Sequence, residues 1–160
     1  LAIAANLAVM GTLNEQIKRL ETAVKARTQA HEALSPLKTV AGIGETLALT
    51  IVLETGGIER FAKVGNFASY CRAVDSRRLS NGKKKGEGNA KCGNKYLAWA
   101  FVEAANFAVR YCAQAKRFYQ RKRAQTNNAV AIKAVAHKLA RACYYVMRDR
   151  VPFDPARCFS

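Results

Sequence analysis

Carboxylates are scarce in this 160-residue chain: 11 Asp and Glu stand against 27 Lys and Arg, for a formal net charge of +16 and a pI near 10.1. The central acids, Glu45, Glu54, Glu59, Asp75, Glu87 and Glu103, are spread out. No pair has the proximity of a two-metal hydrolytic site, whose ligands converge on cations about 4 Å apart. Histidine is rarer still, with only His31 and His137, in unrelated helical contexts. The five cysteines (Cys71, Cys92, Cys112, Cys143, Cys158) include no C-x-x-C pair and are odd in number, so neither a zinc cluster nor a disulfide framework is expected. They read as small buried hydrophobes of a protein in a reducing cytoplasm. Nothing approaches the roughly 18 uninterrupted apolar residues of a membrane span. The apolar start, LAIAANLAVMGTL, lacks the basic n-region and cleavage pattern of a signal peptide. Period-two alternation is missing as well, which predicts an all-α fold without strands. The leading Leu is what a piece of a longer protein is expected to show.

What the chain has in excess is positive charge, and it is concentrated. Between Cys71 and Arg123 lie 14 basic and 3 acidic residues, so one third of the chain carries most of the surplus, as a binding surface would. The densest part is residues 74–93, VDSRRLSNGKKKGEGNAKCG, which has almost nothing apolar to bury. Such a loop cannot be held by its own core. It makes physical sense against a polyanion, because each cation that neutralises a phosphate releases condensed counterions. Nucleic acid is the expected partner; a solvated face or an anionic membrane surface is the blander reading.

At this length a chain buries roughly 68–70% of its unfolded surface, enough for one or two compact units. Residues 1–34 read as one long helix. Met10, Leu13, Ile17, Leu20 and Val24 recur at alternating spacings of three and four, a short coiled-coil seam, with Glu15, Lys18, Arg19, Glu21 and Lys25 on the wet face. Ser35-Pro36 is expected to break it. In the second unit, 35–160, residues from about 37 to 55 have the form of a helix-hairpin-helix. Gly42-Ile43-Gly44 sits between Leu37/Val40 and Leu47/Ala48/Ile51/Val52, and its glycines permit positive φ and close backbone approach. Amides at the second helix start could then hold a phosphate without reading sequence. A plain packing corner is the alternative.

Gly56-Gly57 closes that helix, and a short one follows with Phe61, Val64, Phe67, Ala68 and Cys71 inward. After the basic loop, Asn94 caps a long helix. Its stripe is Leu97, Ala100, Phe101, Ala104, Ala105, Ala108 and Tyr111, and it runs into the basic tail AKRFYQRKRAQ. Thr126-Asn127-Asn128 starts a final helix with Val130, Ala134, Val135, Leu139, Ala142 and Val146 as its core face, ending between Asp149 and Pro155.

Within the basic loop, Ser80 precedes Asn81-Gly82 where a phosphodiester would be held. A serine hydroxyl needs activation, and charge developing on phosphorus needs nearby cations, which Arg77, Arg78 and Lys83–Lys85 could supply. From the residues alone Ser80 reads first as a turn residue or phosphate donor. Ser76 competes with it, and no base is identifiable.

Three blocks in order carry a further likeness: TVAGIGETLALTIVLETGGIERF, ASYCRAVDSRRLSNGKKKGEGNAKCGNKYLAWAFVEAANFA and VAIKAVAHKLARACYYVMRD. Over residues 37–155 the chain resembles the C-terminal transposase domain of the insertion-sequence one-ten family, DNA recombinases associated with bridge RNAs. The resemblance implies a longer enzyme with an N-terminal RuvC-like domain, whose acidic tetrad holds Mg²⁺, then a coiled coil ending in residues 1–34. It also implies a catalytic serine in the S-x-G element, here Ser80-Asn81-Gly82, which attacks a DNA phosphodiester. DNA, a structured guide RNA, the RuvC-like domain and further copies of the chain are the implied partners, with no membrane. Nucleic-acid contacts are expected at Gly42, Ile43, Gly44, Arg77, Arg78, Lys83, Lys84, Lys85, Lys91, Asn94, Lys95, Arg121, Lys122 and Arg123. No acidic tetrad precedes residue 1, so this chain alone is expected to bind but not recombine. The family's arginine after the lysine-glycine-asparagine block is replaced by Lys95-Tyr96-Leu97-Ala98. The competing readings are a non-catalytic helix-hairpin-helix binding module and a helical interaction protein working through the 1–34 seam.

Overall fold

The computed structural model describes residues 2–28, 31–74, 77–87 and 92–160, of which only the backbone is described at 77–79, 84, 86 and 87. The chain divides into two compact units, residues 1–31 and 32–160. The first is helix α1, Ala2–Thr28. It ends earlier than Ser35-Pro36, and Pro36 lies inside the single-turn helix α2, Leu34–Leu37. Proline is tolerated in a first turn because the N–H it lacks has no partner there. The α1 seam is fully displayed: Met10, Leu13, Ile17 and Leu20 are each more than half exposed, and so are Ile3 and Leu7.

The second unit is all-α apart from one hairpin. Helices α3 (Glu45–Thr55) and α4 (Val64–Tyr70), joined through a 3-10 turn at Ile58–Arg60, precede the hairpin strands β1 (Arg77–Ser80) and β2 (Lys83–Glu87). Then come α5 (Lys95–Tyr111), α6 (Ala113–Gln125), α7 (Asn128–Asp149) and α8 (Pro155–Phe159). α7 is the central element, packed against α2, α4, α5, α6 and α8. Alanines at the crossings are completely buried, Ala100, Ala104, Ala105 and Ala108 on α5 and Ala131 and Ala140 on α7. Phe67, Phe101, Leu37, Ile51, Leu97 and Leu139 fill the space between the helices.

Caps that the sequence encodes are in place. Asn94 Oδ1 accepts from the amides of Tyr96 and Leu97 at 2.8 and 3.0 Å, and Asn127 Oδ1 accepts from Val130 at 3.0 Å. Gly56 closes α3 with φ 64°. Three expectations need correction. The long helix after Asn94 is two helices, because Cys112 is extended (φ −116°, ψ 116°) while its N–H still bonds Ala108 O. The break lets α6 lean on both α5 and α7, burying Ala115 completely. Tyr111 and Val130, expected inside, are 80% and 42% exposed, since each lies at a helix end beyond the crossing. α7 is also not the last helix. Asp154 caps α8, accepting from Ala156 at 2.8 Å, and Phe159 is buried near Phe118 and Phe153.

One buried polar contact spans the unit: Tyr144 of α7 donates its hydroxyl to Phe61 O at 3.0 Å. Tyr144→Phe leaves that carbonyl without its donor, and chemical denaturation should find the protein less stable by about 1–2 kcal/mol. An unchanged midpoint would mean that solvent reaches Phe61 O.

Candidate nucleic-acid interface

The missing alternation predicted no strand in the basic segment, and the structure corrects this. The segment forms an antiparallel hairpin with Ser80 paired to Lys83 and Arg77 to Glu87. Asn81 (φ 51°) and Gly82 (φ 72°) are the two turn residues. Both have positive φ, the requirement of a two-residue type I′ turn, and Asn-Gly is its commonest sequence. That dipeptide was the available signal. The pairing shifts between Arg78 and Leu79, leaving Lys85 as a bulge residue. Ser80 is half-buried at the end of β1, and Lys83, its cross-strand partner, is exposed. Paired residues share a face of a hairpin, so a cation stands beside the serine hydroxyl. Lys85 is exposed too; Arg77, Arg78 and Lys84 are placed by backbone only, and Lys91 and Ser76 lie outside the described residues.

The root of this segment is clamped. Asn94 N–H donates to Tyr70 O at 2.7 Å, and Arg72 donates from Nε and Nη2 to Gly93 O at 3.1 and 2.9 Å. Gly93 (φ 94°) lies so close to Tyr70 O that a Cβ would stand 3.2 Å from Ser69 O and nearer still to Tyr70 O. While capping α5 through Oδ1, the Asn94 side chain donates Nδ2 to Glu54 Oε2 at 2.6 Å and reaches Tyr70 Oη at 3.4 Å. α3, α4 and α5 thus meet at one side chain, beside an open hollow of about 430 Å³ lined by Glu54, Tyr70, Arg72 and Lys95. Sequence reasoning found Asn94 as a cap and missed Glu54, Tyr70 and Arg72, which converge from positions far apart in the chain. Asn94→Ala removes the cap and the side-chain bonds to Glu54 and Tyr70, leaving the Asn94 N–H and Arg72 bonds in place, an expected loss of about 1–2 kcal/mol. Proteolysis within residues 74–92 should accelerate at the same time; equal cleavage rates would show that the Asn94 side chain does not hold the segment's root.

The Gly42-Ile43-Gly44 turn is not at this end. Gly42 (φ 84°) presses on α5, where a Cβ would overlap Ala104 O and stand 2.8 Å from Ala108 N. Its small size serves packing, and Ile43 is buried. Gly44 keeps an open approach as the residue before α3, though the first turn already holds Glu45, which lies 3.9 Å from Lys38. The first helix of the expected helix-hairpin-helix is only the single turn α2. Ala104 lies ten residues along α5 from Asn94, about 15 Å at helical rise. The turn therefore belongs to the α5 end from which α6 departs. On α6, Lys116, Arg117, Arg121 and Arg123 are exposed and Lys122 is half-buried, with no acidic residue among them. Two cationic clusters result, one at each end of α5.

None of the five thiols is in a disulfide. Burial pushes Cys71 and Cys143 well above the ordinary thiol range and Cys158 up to about 12, as inert core residues, whereas Cys92 is exposed. Burial, then Arg141 and Lys138, hold His137 below the usual imidazole value. Among the described residues no group of three His, Cys, Asp or Glu side chains could hold a metal ion. Nor, among them, is any helix long and apolar enough to cross a membrane.

Residues 34–120 match the family model described as transposase IS116/IS110/IS902 family. A probable family 20 transposase of Pseudomonas aeruginosa is 26% identical over 152 residues, covering 90% of this chain and 44% of that protein. The insertion element IS110 uncharacterized 43.6 kDa protein of Streptomyces coelicolor is 23% identical over 138 residues, 86% of this chain and 34% of that protein. The chain therefore spans less than half the length of these relatives.

Proposed function

Since the chain belongs to the IS116/IS110/IS902 transposase family, we propose that it is the nucleic-acid-binding, serine-bearing part of a longer DNA transposase. The observation that carries this reading is the position of Ser80, half-buried beside the Asn81-Gly82 turn and opposite Lys83. In the proposed step Ser80 Oγ forms a bond to a DNA phosphorus while the bond to one bridging oxygen breaks. The serine proton passes to a base, and the departing oxygen takes up a proton. The resulting serine–phosphate ester keeps the bond energy for rejoining to a new strand hydroxyl. Lys83 and Lys85 face the phosphate oxygens, whose charge rises in the transition state.

Mg²⁺ belongs, on this reading, to a RuvC-like domain outside this chain, and the chain alone binds DNA without recombining it. A structured guide RNA offers the same phosphate chemistry and is assigned to the same basic surface. The protein then works in the bacterial cytoplasm beside the nucleoid. Binding should be steeply salt-dependent: with about six phosphates neutralised, log K against log salt slopes near −5. A slope shallower than about −2 in fluorescence anisotropy would reject the basic surface as the binding face.

The α1 seam supports a homo-oligomer. Ile17 and Val24 alternate with Leu13 and Leu20, the pattern of β-branched and leucine positions that favours two strands. Replacing Ile17 and Leu20 by Asn should shift the protein from dimer to monomer in sedimentation equilibrium at micromolar concentration. Because both side chains are exposed, melting of residues 32–160 should not move. A wild-type chain that sediments as a monomer would reject the seam as a pairing surface.

A further inference from the structure

Helix α5 carries apolar side chains beyond its buried face. That face buries Leu97, Phe101 and four alanines, while the adjoining exposed side carries Tyr96, Trp99 and Phe107, exposed by 51%, 50% and 41%, and Tyr111, 80% exposed, continues the row at the helix end beyond the crossing. Single exposed aromatics need no explanation, but four rings within an arc of about 120° on one helix form a stripe. From Tyr96 to Tyr111 it runs about 22 Å. It starts at the clamped root of the hairpin, where Lys95 Nζ lies 4.9 Å from the Tyr96 ring centroid. It ends at exposed Arg110 and Tyr111, one residue before the turn into the basic helix α6. The stripe therefore spans the gap between the two cationic clusters.

We propose that this stripe is a stacking platform for the unpaired bases of a single nucleic-acid strand whose phosphates are held at its two ends. The proposal rests on the nucleic-acid reading above and specifies the form of the ligand. Charge decides the occupant: from Lys95 to Gln125 there are seven cations and one acid, Glu103. Glu103 sits half-buried at the middle of the stripe and repels phosphate, so a duplex, which presents its backbone outward, is disfavoured there. A single strand can turn its bases inward, stack them on the rings, and offer Glu103 the N–H groups of a base edge. Every base has a π face, so the platform tolerates sequence, as strand exchange between different sites requires.

Trp99 is the one tryptophan in the chain, so its emission reports on the stripe alone. The chain is titrated with fluorescein-labelled dT12 and with a 12-base-pair duplex, following label anisotropy and, in parallel with unlabelled DNA, Trp99 emission. We expect dT12 to quench Trp99 and the duplex to bind with little quenching. Phe107→Ala and Tyr96→Ala should each weaken dT12 binding about 5- to 100-fold and leave duplex affinity within about twofold. Circular dichroism checks that these exposed positions leave the fold intact. Anisotropy binding of dT12 with unchanged Trp99 emission and no effect of Phe107→Ala overturns the platform while the DNA-binding reading stands. No binding of either DNA overturns both. A concentration-dependent blue shift of Trp99 without DNA, competing with dT12, assigns the face to a protein partner and likewise overturns the proposal.

Discussion

Under the proposed step, Ser80→Ala in a longer protein carrying this domain should abolish the covalent protein–DNA adduct the step predicts, while leaving DNA affinity within about twofold. If Ser80 Oγ is the attacking oxygen, removing it removes the only new bond of the step, so strand joining should fall by a factor on the order of 10³ or more. The hydroxyl lies at the end of β1 rather than in the core, and the Asn81-Gly82 turn does not depend on it. Alanine should therefore leave the hairpin and its lysines in place. The assay is denaturing electrophoresis of labelled donor and target DNA, with the adduct mapped by mass spectrometry. A persistent adduct on the alanine variant would reassign the nucleophile, with Ser76 the first residue to test. Normal joining without any adduct would reduce Ser80 to a phosphate contact and leave a binding module.

The second large effect concerns stability. Gly42→Val places a branched side chain where even one Cβ would overlap Ala104 O, on a backbone at φ 84°. Overpacking costs about 1–3 kcal/mol, and a left-handed conformation adds about 1–2 kcal/mol for a side chain. The sum is comparable with the whole stability of a small domain, about 5–15 kcal/mol. Gly42→Val should be largely unfolded at 37 °C by circular dichroism. Gly44→Ala, with nothing within 4 Å of a new Cβ and an ordinary φ of −88°, should fold normally. Equal stability of the two would mean that the turn at Gly42 is not in close contact with α5. The pair also separates packing from phosphate approach, since Gly44 alone remains open to a ligand.

Helix starts were legible because they are local. Asn94 and Asn127 cap their helices through their own side chains, and Gly56 closes α3 within one turn of chain. Leu47, Ala48, Ile51 and Val52 are buried in the order their spacing predicts. The hairpin was also encoded locally, by Asn81-Gly82, but its strands carry lysines and arginines where alternation is sought, so a search for buried faces passes over it. Its fixed register comes from the turn and the bulge at Lys85, not from a core.

Other features answer to no local signal. Nothing around Cys112 forbids a continuous helix, yet the chain bends there because α6 gains contacts with α5, α7 and α8 that a straight extension would forgo. The role of Gly42 depends on Ala104 and Ala108, more than sixty residues away, and the clamp on Asn94 depends on Glu54 and Tyr70. By itself the sequence determined charge, caps, turns and periodicity, each a property of neighbours along the chain. Only the tertiary structure decided that the two cationic clusters lie at opposite ends of one helix, with an aromatic face between them. Packing free energy is summed over contacts between segments remote in the chain, and short-range propensity carries no record of it.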